Sequence, residues 1–193
     1  IADSSLSADQ ILTELKKIDQ SNLQASLAQL PESRTLLKDI EKKYTEEKGI
    51  SVSVSKGNSN VDASKVSIVG AAFSANTTAL SLNFAVPSKE VVVDKSQYKN
   101  WVQLNITLDG VKNPGKLAVP AYITMPVPAG VAVQRLFILH YHADGSHDVI
   151  KPIDNGDGTV TFVITSFSTF VFANEAENIS GADPISFTDS NFK

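Results

Sequence analysis

The chain has 193 residues, of which 42% are hydrophobic, and this is enough apolar material for one sizeable core or two modest ones. Its net charge of -4 leaves no positive surplus to hold a polyanion, so nucleic acid is not expected as a partner. The absence of cysteine excludes disulfides, thiolate metal sites and cysteine nucleophiles, and no apolar run approaches the roughly 18 residues of a membrane span.

The pattern of the N-terminal quarter predicts helices. Ser7 and Gln10 have the spacing of a capping box, in which the Ser hydroxyl and the Gln amide satisfy backbone groups at the start of a helix. The apolar residues that follow recur at helical spacing: Ile11, Leu12, Leu15 and Ile18. A last helix is predicted to start at Pro31 and to end before Gly49, because glycine readily takes the left-handed conformation that terminates helices. Its charges have both signs, which predicts a solvated face: Lys38, Asp39, Glu41, Lys42, Lys43, Glu46 and Glu47.

From Gly49 onward the hydrophobic period changes to two, which is typical of half-buried strands. The strands predicted in the first half of this region are 50–54, 66–73, 79–86, 90–94, 101–108 and 119–125. In 101–108 the alternation places Leu104 and Ile106 inward and Gln103 outward. Pro126 ends the last of these strands, because proline cannot donate to a ladder.

The second half of the region is predicted to fold as antiparallel strands joined by two turns rich in Gly, Asn and Asp, residues that tolerate positive φ. The predicted strands are 134–142, 147–153, 159–165 and 166–172, with turns at 143–146 and 154–158. The strand 134–142 is apolar on both faces, with Ile138 on one and Leu139 on the other. The amphipathic N-terminal helices are therefore expected to pack over the outer face of this sheet.

These elements predict an α+β chain in which an N-terminal helical segment is followed by an antiparallel immunoglobulin-like β-sandwich. Eight to ten short strands separated by turns favour two stacked sheets, since the connections are too short for crossover helices. The predicted organisation is a helical segment at 1–48, a β-sandwich domain at 49–174 and a flexible tail or linker at 175–193.

One cluster of residue types suits a metal ion. His140 and His142 lie two residues apart on a strand and so point to the same side, and His147 is expected to reach them from across the hairpin. Zinc or copper would fit such a set. The competing interpretation is that these histidines are half-exposed side chains at a strand end. Ser146, His147 and Asp148 are triad residue types, but sequence neighbours cannot align as nucleophile, base and orienting group.

Aromatic side chains suggest a second kind of site. A carbohydrate platform needs planar rings along one sheet face, and Tyr98, Trp101 and Tyr122 are the candidates, with Tyr122 expected on the side opposite the core. The competing interpretation is that scattered aromatics of this kind cap a core.

Four segments carry a resemblance to a known class of module. They are Tyr-Ile-Thr-Met-Pro-Val-Pro-Ala-Gly at 122–130, Leu-His-Tyr-His-Ala-Asp-Gly at 139–145, Gly-Thr-Val-Thr-Phe at 158–162 and Ser-Phe-Ser-Thr-Phe-Val at 166–171. Together they resemble the β-sandwich modules that recur in secreted and cell-surface proteins of clostridia and related Gram-positive gut bacteria. The resemblance covers about residues 100–173. It implies a non-catalytic module attached to a cell wall, and it supplies no active site to transfer.

The sequence therefore predicts a non-catalytic structural, adhesion or interaction module, outside the cell or at its surface. The expected partners are other extracellular proteins or cell-wall and host glycans, with no cofactor. The Ser-, Thr-, Asn- and Val-rich composition and a first residue, Ile1, other than Met agree with a trimmed, exported chain. A carbohydrate-binding module is the first alternative, and a metal-dependent enzyme that uses the three histidines is the second.

Overall fold

The computed structural model describes residues 31–117 and 119–176, together with Ser7, Gln10 and Thr13. In this part of the chain one α-helix precedes ten strands. The helix is α1 (Pro31–Lys48), and the strands are β1 (Ser51–Ser55), β2 (Ser67–Val69), β3 (Ala79–Ala85), β4 (Tyr98–Asp109), β5 (Ala121–Pro126), β6 (Leu136–Tyr141), β7 (His147–Ile150), β8 (Ile153–Asp154), β9 (Thr159–Ile164) and β10 (Thr169–Glu175). Two short 3-10 helices occupy Ala63–Lys65 and Ala71–Ser74. Within these ranges no helix is long and apolar enough to cross a bilayer.

The strands form two sheets. The larger has the order β1-β3-β4-β10-β6-β7 and the smaller the order β2-β5-β9-β8. The predicted α+β fold, with a helix and two sheets in a sandwich-like arrangement, is confirmed at this level. One pair departs from the expected antiparallel pattern, because β1 runs parallel to β3. The connection at 56–78 passes through β2 and both 3-10 helices, and this length lets the chain return to the same end of the sheet.

The core lies between the inner faces of the two sheets. The alternation predicted for β4, β5 and β9 is confirmed, since every second residue of each strand belongs to this core: Leu104, Ile106 and Leu108; Ala121, Ile123 and Met125; Val160, Phe162 and Ile164. Phe84, Phe170 and Phe172 from the larger sheet are also fully buried here. Burial of each such side chain is worth about 2 kcal/mol, so the core supplies most of the driving force for folding.

The strand predicted at 147–153 is divided between the two sheets. The chain leaves the larger sheet after Ile150 and enters the smaller one at Ile153. Pro152 stands between them, and because proline has no backbone N–H to donate, it ends one ladder before the next begins. The turns expected before and after this segment are confirmed; Gly145, for example, has a φ of +89°, a conformation that costs glycine little.

The outer face of the larger sheet is also apolar. Leu139 and Tyr141 of β6 and Val171 and Ala173 of β10 are buried there. Their cover comes from the chain that leads into β4, with Val93 at 5% exposure lying on them. The Tyr141 hydroxyl donates to Val92 O over 3.1 Å and ties this cover to the sheet. The prediction that α1 covers this face is wrong; the helices predicted between Ser7 and 30 lie almost entirely outside the described residues.

A single glutamine attaches this covering segment. The Gln103 side-chain amide donates to Val91 O and accepts from Val91 N–H, each over 2.9 Å. The amide thus does for Val91 what a neighbouring strand would do, and the predicted strand at 90–94 does not form. Gln103 points away from the core, as its position in the alternation predicts, but it is only 6% exposed because the segment lies over it.

Helix α1 packs instead against β2 and the 3-10 helix Ala71–Ser74. Its Tyr44 ring lies 5.0 Å from the ring of Phe73. It ends where predicted, at Lys48, with Gly49 at a φ of +70°. The capping box is confirmed as well: Ser7 N–H donates to Gln10 Oε1 over 2.8 Å, and Gln10 N–H donates to Ser7 Oγ over 3.3 Å.

The solvated face expected for this helix has one exception, Glu41. Its carboxylate is 9% exposed and accepts from the backbone N–H groups of Gly70 at 2.7 Å and Ala72 at 3.1 Å. It therefore caps the start of the 3-10 helix Ala71–Ser74 from another element. Burial raises the pKa of Glu41 to about 7, although the two hydrogen bonds act in the opposite direction. Nothing local in the charge pattern distinguishes Glu41 from its exposed neighbours.

We expect Glu41→Gln to change how stability depends on pH. Because the pKa is raised, the Glu41 carboxyl of the folded chain stays protonated between the ordinary value of 4.5 and about 7. The stability that Glu41 contributes is therefore complete below pH 4.5 and is lost as pH rises through 7. On going from pH 5 to pH 8, the free energy of unfolding of the variant should therefore rise relative to that of the parent by up to about 3 kcal/mol. Urea unfolding at both pH values measures this. Glu46→Gln, exposed on the same helix, is the control; an equal change in both variants would contradict the prediction.

Gln103→Met should loosen the covering segment. Methionine keeps the length of the side chain but removes both hydrogen bonds to Val91, at a cost of about 2 kcal/mol. Amide hydrogen exchange at Val91 should accelerate, while the exchange rates of core amides in β10 should stay unchanged. Gln97→Met, at an exposed glutamine of the same segment, should leave Val91 unchanged. Unaltered protection of Val91 in the Gln103 variant would count against this attachment.

Candidate functional site

The β6–β7 hairpin decides which of the predicted metal ligands meet. Its register pairs His140 with Asp148 and Tyr141 with His147. Residues directly opposite each other in an antiparallel pair share a face, and so do residues two apart on one strand. His140, His142 and Asp148 therefore lie on one face, and His147 lies on the other, where its ring stacks on Tyr141 at 4.8 Å. The three histidines predicted as a metal set do not converge.

The first member of this group, His140, is held rigidly. It is 4% exposed and its ring stacks on Phe170 at 4.2 Å with an interplanar angle of 12°. Its Nε2 lies 2.7 Å from Ser168 Oγ, which in turn lies 2.6 Å from Tyr141 O. A carbonyl oxygen only accepts, so the serine hydroxyl donates to Tyr141 O and accepts from His140 Nε2–H. The lone pair of the neutral ring is then on Nδ1.

Burial lowers the pKa of His140 to about 4, and the neighbouring His142 acts in the same direction, while Asp148 opposes it. The ring is therefore neutral at physiological pH. A neutral imidazole with one N–H committed to an oxygen is the form in which histidine binds metals.

The other two members are closer to solvent. His142 Nε2 lies 2.9 Å from Asp148 Oδ2, and the two side chains are 34% and 72% exposed. The rings of His140 and His142 are 4.6 Å apart at 52°. One nitrogen of each histidine and one oxygen of Asp148 all lie within 4.8 Å of one another. We call His140, His142 and Asp148 the histidine–aspartate cluster. The parity of the hairpin points to Asp148 rather than His147, and this signal was available in the sequence.

A second site lies on the other side of β10 in the sheet order, where β3 is shorter than β4. β3 pairs only with residues 105–109 of β4, so the earlier half of β4 has no strand neighbour on this side within the described residues. A cleft of about 530 Å³ opens there, between the edge of β4 and chain segments from the other sheet. Its apolar lining includes Val86, Trp101, Pro126 and Pro128, and its polar lining includes Asn60, Asp62 and Glu90. We call it the Trp101 cleft.

The three predicted aromatic candidates do not form one platform. Tyr98 and Trp101 both pack beside the cover on the outer face of the larger sheet, but of the three candidates only Trp101 lines the cleft. Tyr122 is in the smaller sheet and is 6% exposed, so the expectation that it is solvent-facing is wrong. It lies opposite Val69 and Val163 on the neighbouring strands, both of which are buried. Its burial depends on what lies over that sheet, which the alternation along β5 does not show.

Comparison of the sequence with protein-family models and with curated proteins gives no match.

Ser168→Ala tests how His140 is oriented. The change leaves a buried imidazole N–H without its acceptor, which should lower the free energy of unfolding at pH 7 by about 1–3 kcal/mol. Ser168→Thr keeps the hydroxyl and should recover most of this loss. Urea unfolding gives the comparison, and NMR of the imidazole nitrogens should show the Nε2–H tautomer in the parent. Equal stability of the Ala and Thr variants would mean that the hydroxyl does not hold the ring.

Proposed function

We propose that the chain is a non-catalytic interaction module of a secreted or surface-displayed bacterial protein, with an immunoglobulin-like sandwich as its scaffold and the Trp101 cleft as its binding site. The cleft is the observation that carries the proposal. Its volume of about 530 Å³ lies within the range of roughly 300–1,000 Å³ typical of ligand sites. The resemblance of residues 100–173 to clostridial surface modules supports the extracellular setting.

The chemistry of the lining favours binding over catalysis. Among the described residues that line the cleft there is no histidine, serine or threonine, so the lining offers no hydroxyl nucleophile beside a histidine base. The Gln103 amide is already used by Val91. The Ser64 hydroxyl and N–H donate to Asp62 and hold the pKa of that carboxyl below its usual range. Asp62 is thus an ionised acceptor at the rim.

A carbohydrate is the ligand class that this lining suits. The apolar face of a sugar ring packs on a planar side chain, and Trp101 supplies one in a lining that also includes Pro126 and Pro128. Sugar hydroxyls need hydrogen-bond partners at the rim, and Asn60, Asp62 and Glu90 supply amide and carboxylate groups. Cell-wall and host glycans are therefore the first ligands to test, and an extracellular protein is the rival partner. The alternative of a metal-dependent enzyme built on His140, His142 and His147 loses support because these three side chains do not share a face.

Trp101→Ala should abolish or weaken glycan binding. A glycan array and a polysaccharide pull-down first identify a ligand, and calorimetry then measures its affinity. We expect a loss of at least about tenfold for the variant, because stacking and burial of the indole are worth more than about 1.4 kcal/mol. Glu90→Gln should weaken binding less and leave the fold intact.

Tyr98→Ala is the matched control, since Tyr98 packs on the same outer-face cluster but is not among the residues that line the cleft. It should keep the affinity of the parent. Failure of the parent to bind any glycan, or an equal loss in both aromatic variants, would contradict the carbohydrate proposal and favour adhesion to a protein partner.

A further inference from the structure

We propose that the histidine–aspartate cluster binds a divalent transition-metal ion, with Zn²⁺ the best suited, through one nitrogen each of His140 and His142 and a carboxylate oxygen of Asp148. This site is at the β6–β7 hairpin and is separate from the Trp101 cleft. It also differs from the set of three histidines expected from the sequence, because Asp148 replaces His147.

His140 is the preorganised ligand. Metal-binding histidines almost always donate their second ring N–H to a carbonyl, a carboxylate or another oxygen, which fixes the tautomer and the ring orientation. His140 has this arrangement, because its Nε2–H donates to Ser168 Oγ and the serine hydroxyl in turn donates to Tyr141 O. The stack on Phe170 prevents the ring from turning. Nδ1 therefore carries the lone pair for the ion, and little side-chain entropy remains to be lost on binding.

The other two ligands, His142 and Asp148, can move to bring the donor atoms to metal-binding distances. In a tetrahedral site with Zn–N bonds of about 2.0–2.1 Å, the donor atoms lie roughly 3.4 Å apart, whereas here one nitrogen of each histidine and one oxygen of Asp148 lie within 4.8 Å of one another. The donors must approach by up to about 1.4 Å. His142 and Asp148 can make this movement because they are partly or largely exposed, and they already meet at 2.9 Å.

The donor set also selects the class of ion. Two imidazole nitrogens favour zinc, copper and nickel over magnesium and calcium, which prefer oxygen alone. Three protein ligands leave a tetrahedral ion with one position for water or for a donor from another molecule. The cluster opens to solvent on the side of Asp148, so an ion can enter and that position is accessible.

The test is a Zn²⁺ titration of the full chain, produced without a histidine tag and treated with a chelator. Calorimetry should show one saturable equivalent. His142→Ala and Asp148→Ala change side chains that are partly and largely exposed and should fold normally, and each should weaken binding by at least about tenfold. His147→Ala is the matched control. It removes a histidine next to Asp148 in sequence, but on the opposite face of the hairpin, and should change the affinity by less than about twofold.

A second measurement identifies the ligand atom. NMR of the imidazole nitrogens should show Zn²⁺ shifting Nδ1 of His140 while Nε2 keeps its proton, and Ser168→Ala should weaken binding by about 10–100-fold without removing a ligand. The proposal is overturned if the parent shows no saturable binding, if Mg²⁺ competes equally with Zn²⁺, or if His147→Ala weakens binding as much as His142→Ala. Binding that survives the combined His142 and Asp148 changes would also overturn it.

Discussion

Strand β10 is buried on both of its faces, and the rest of the structure follows from this constraint. It lies between β4 and β6, with Phe170 and Phe172 in the main core and Val171 and Ala173 under the outer cover, all four at 0% exposure. A strand that is apolar on both sides needs a second layer on each. The smaller sheet supplies the inner layer. The segment leading into β4 supplies the outer one.

The residues that bury the two faces of β10 also position residues of both candidate sites. Phe170, on the inner face, is the surface against which the His140 ring stacks, so the rigid member of the histidine–aspartate cluster is held by the same side chain that fills the core. On the outer side, Gln103 holds Val91, and the neighbouring residue Glu90 lines the Trp101 cleft. The cleft remains open since β3 ends before it reaches the start of β4.

Buried polar groups make the contacts that fix particular segments of this molecule to one another. Gln103, Glu41 and His140 each sit where apolar packing alone would leave a backbone group or a loop without a partner, and each is satisfied by a defined acceptor or donor. An unpaired buried polar group costs a few kcal/mol, so such contacts select one arrangement among several that pack equally well. They join segments far apart in the sequence: Glu41 to Gly70, and His140 to Ser168. The first contact fixes helix α1 against the start of the 3-10 helix Ala71–Ser74, and the second fixes β6 against the residue before β10.

Local physics was sufficient for much of this architecture. The period-two alternation of β4, β5 and β9 has a direct cause in the pleat of a strand, and the capping box at Ser7 and the turn at Gly145 depend only on neighbouring residues. The amino-acid sequence therefore determined that most of these segments are strands and which face of β4, β5 and β9 is turned to the core.

Tertiary structure decided which polar and aromatic side chains are covered. Gln103 and Tyr122 alternate as exposed residues should, and Glu41 lies in a run of solvated charges, yet all three are buried. Segments distant in the sequence contact Gln103 and Glu41. Whether such a residue is buried depends on which other segment packs on its face. The periodicity of one segment shows which residues share a face, but not what covers that face.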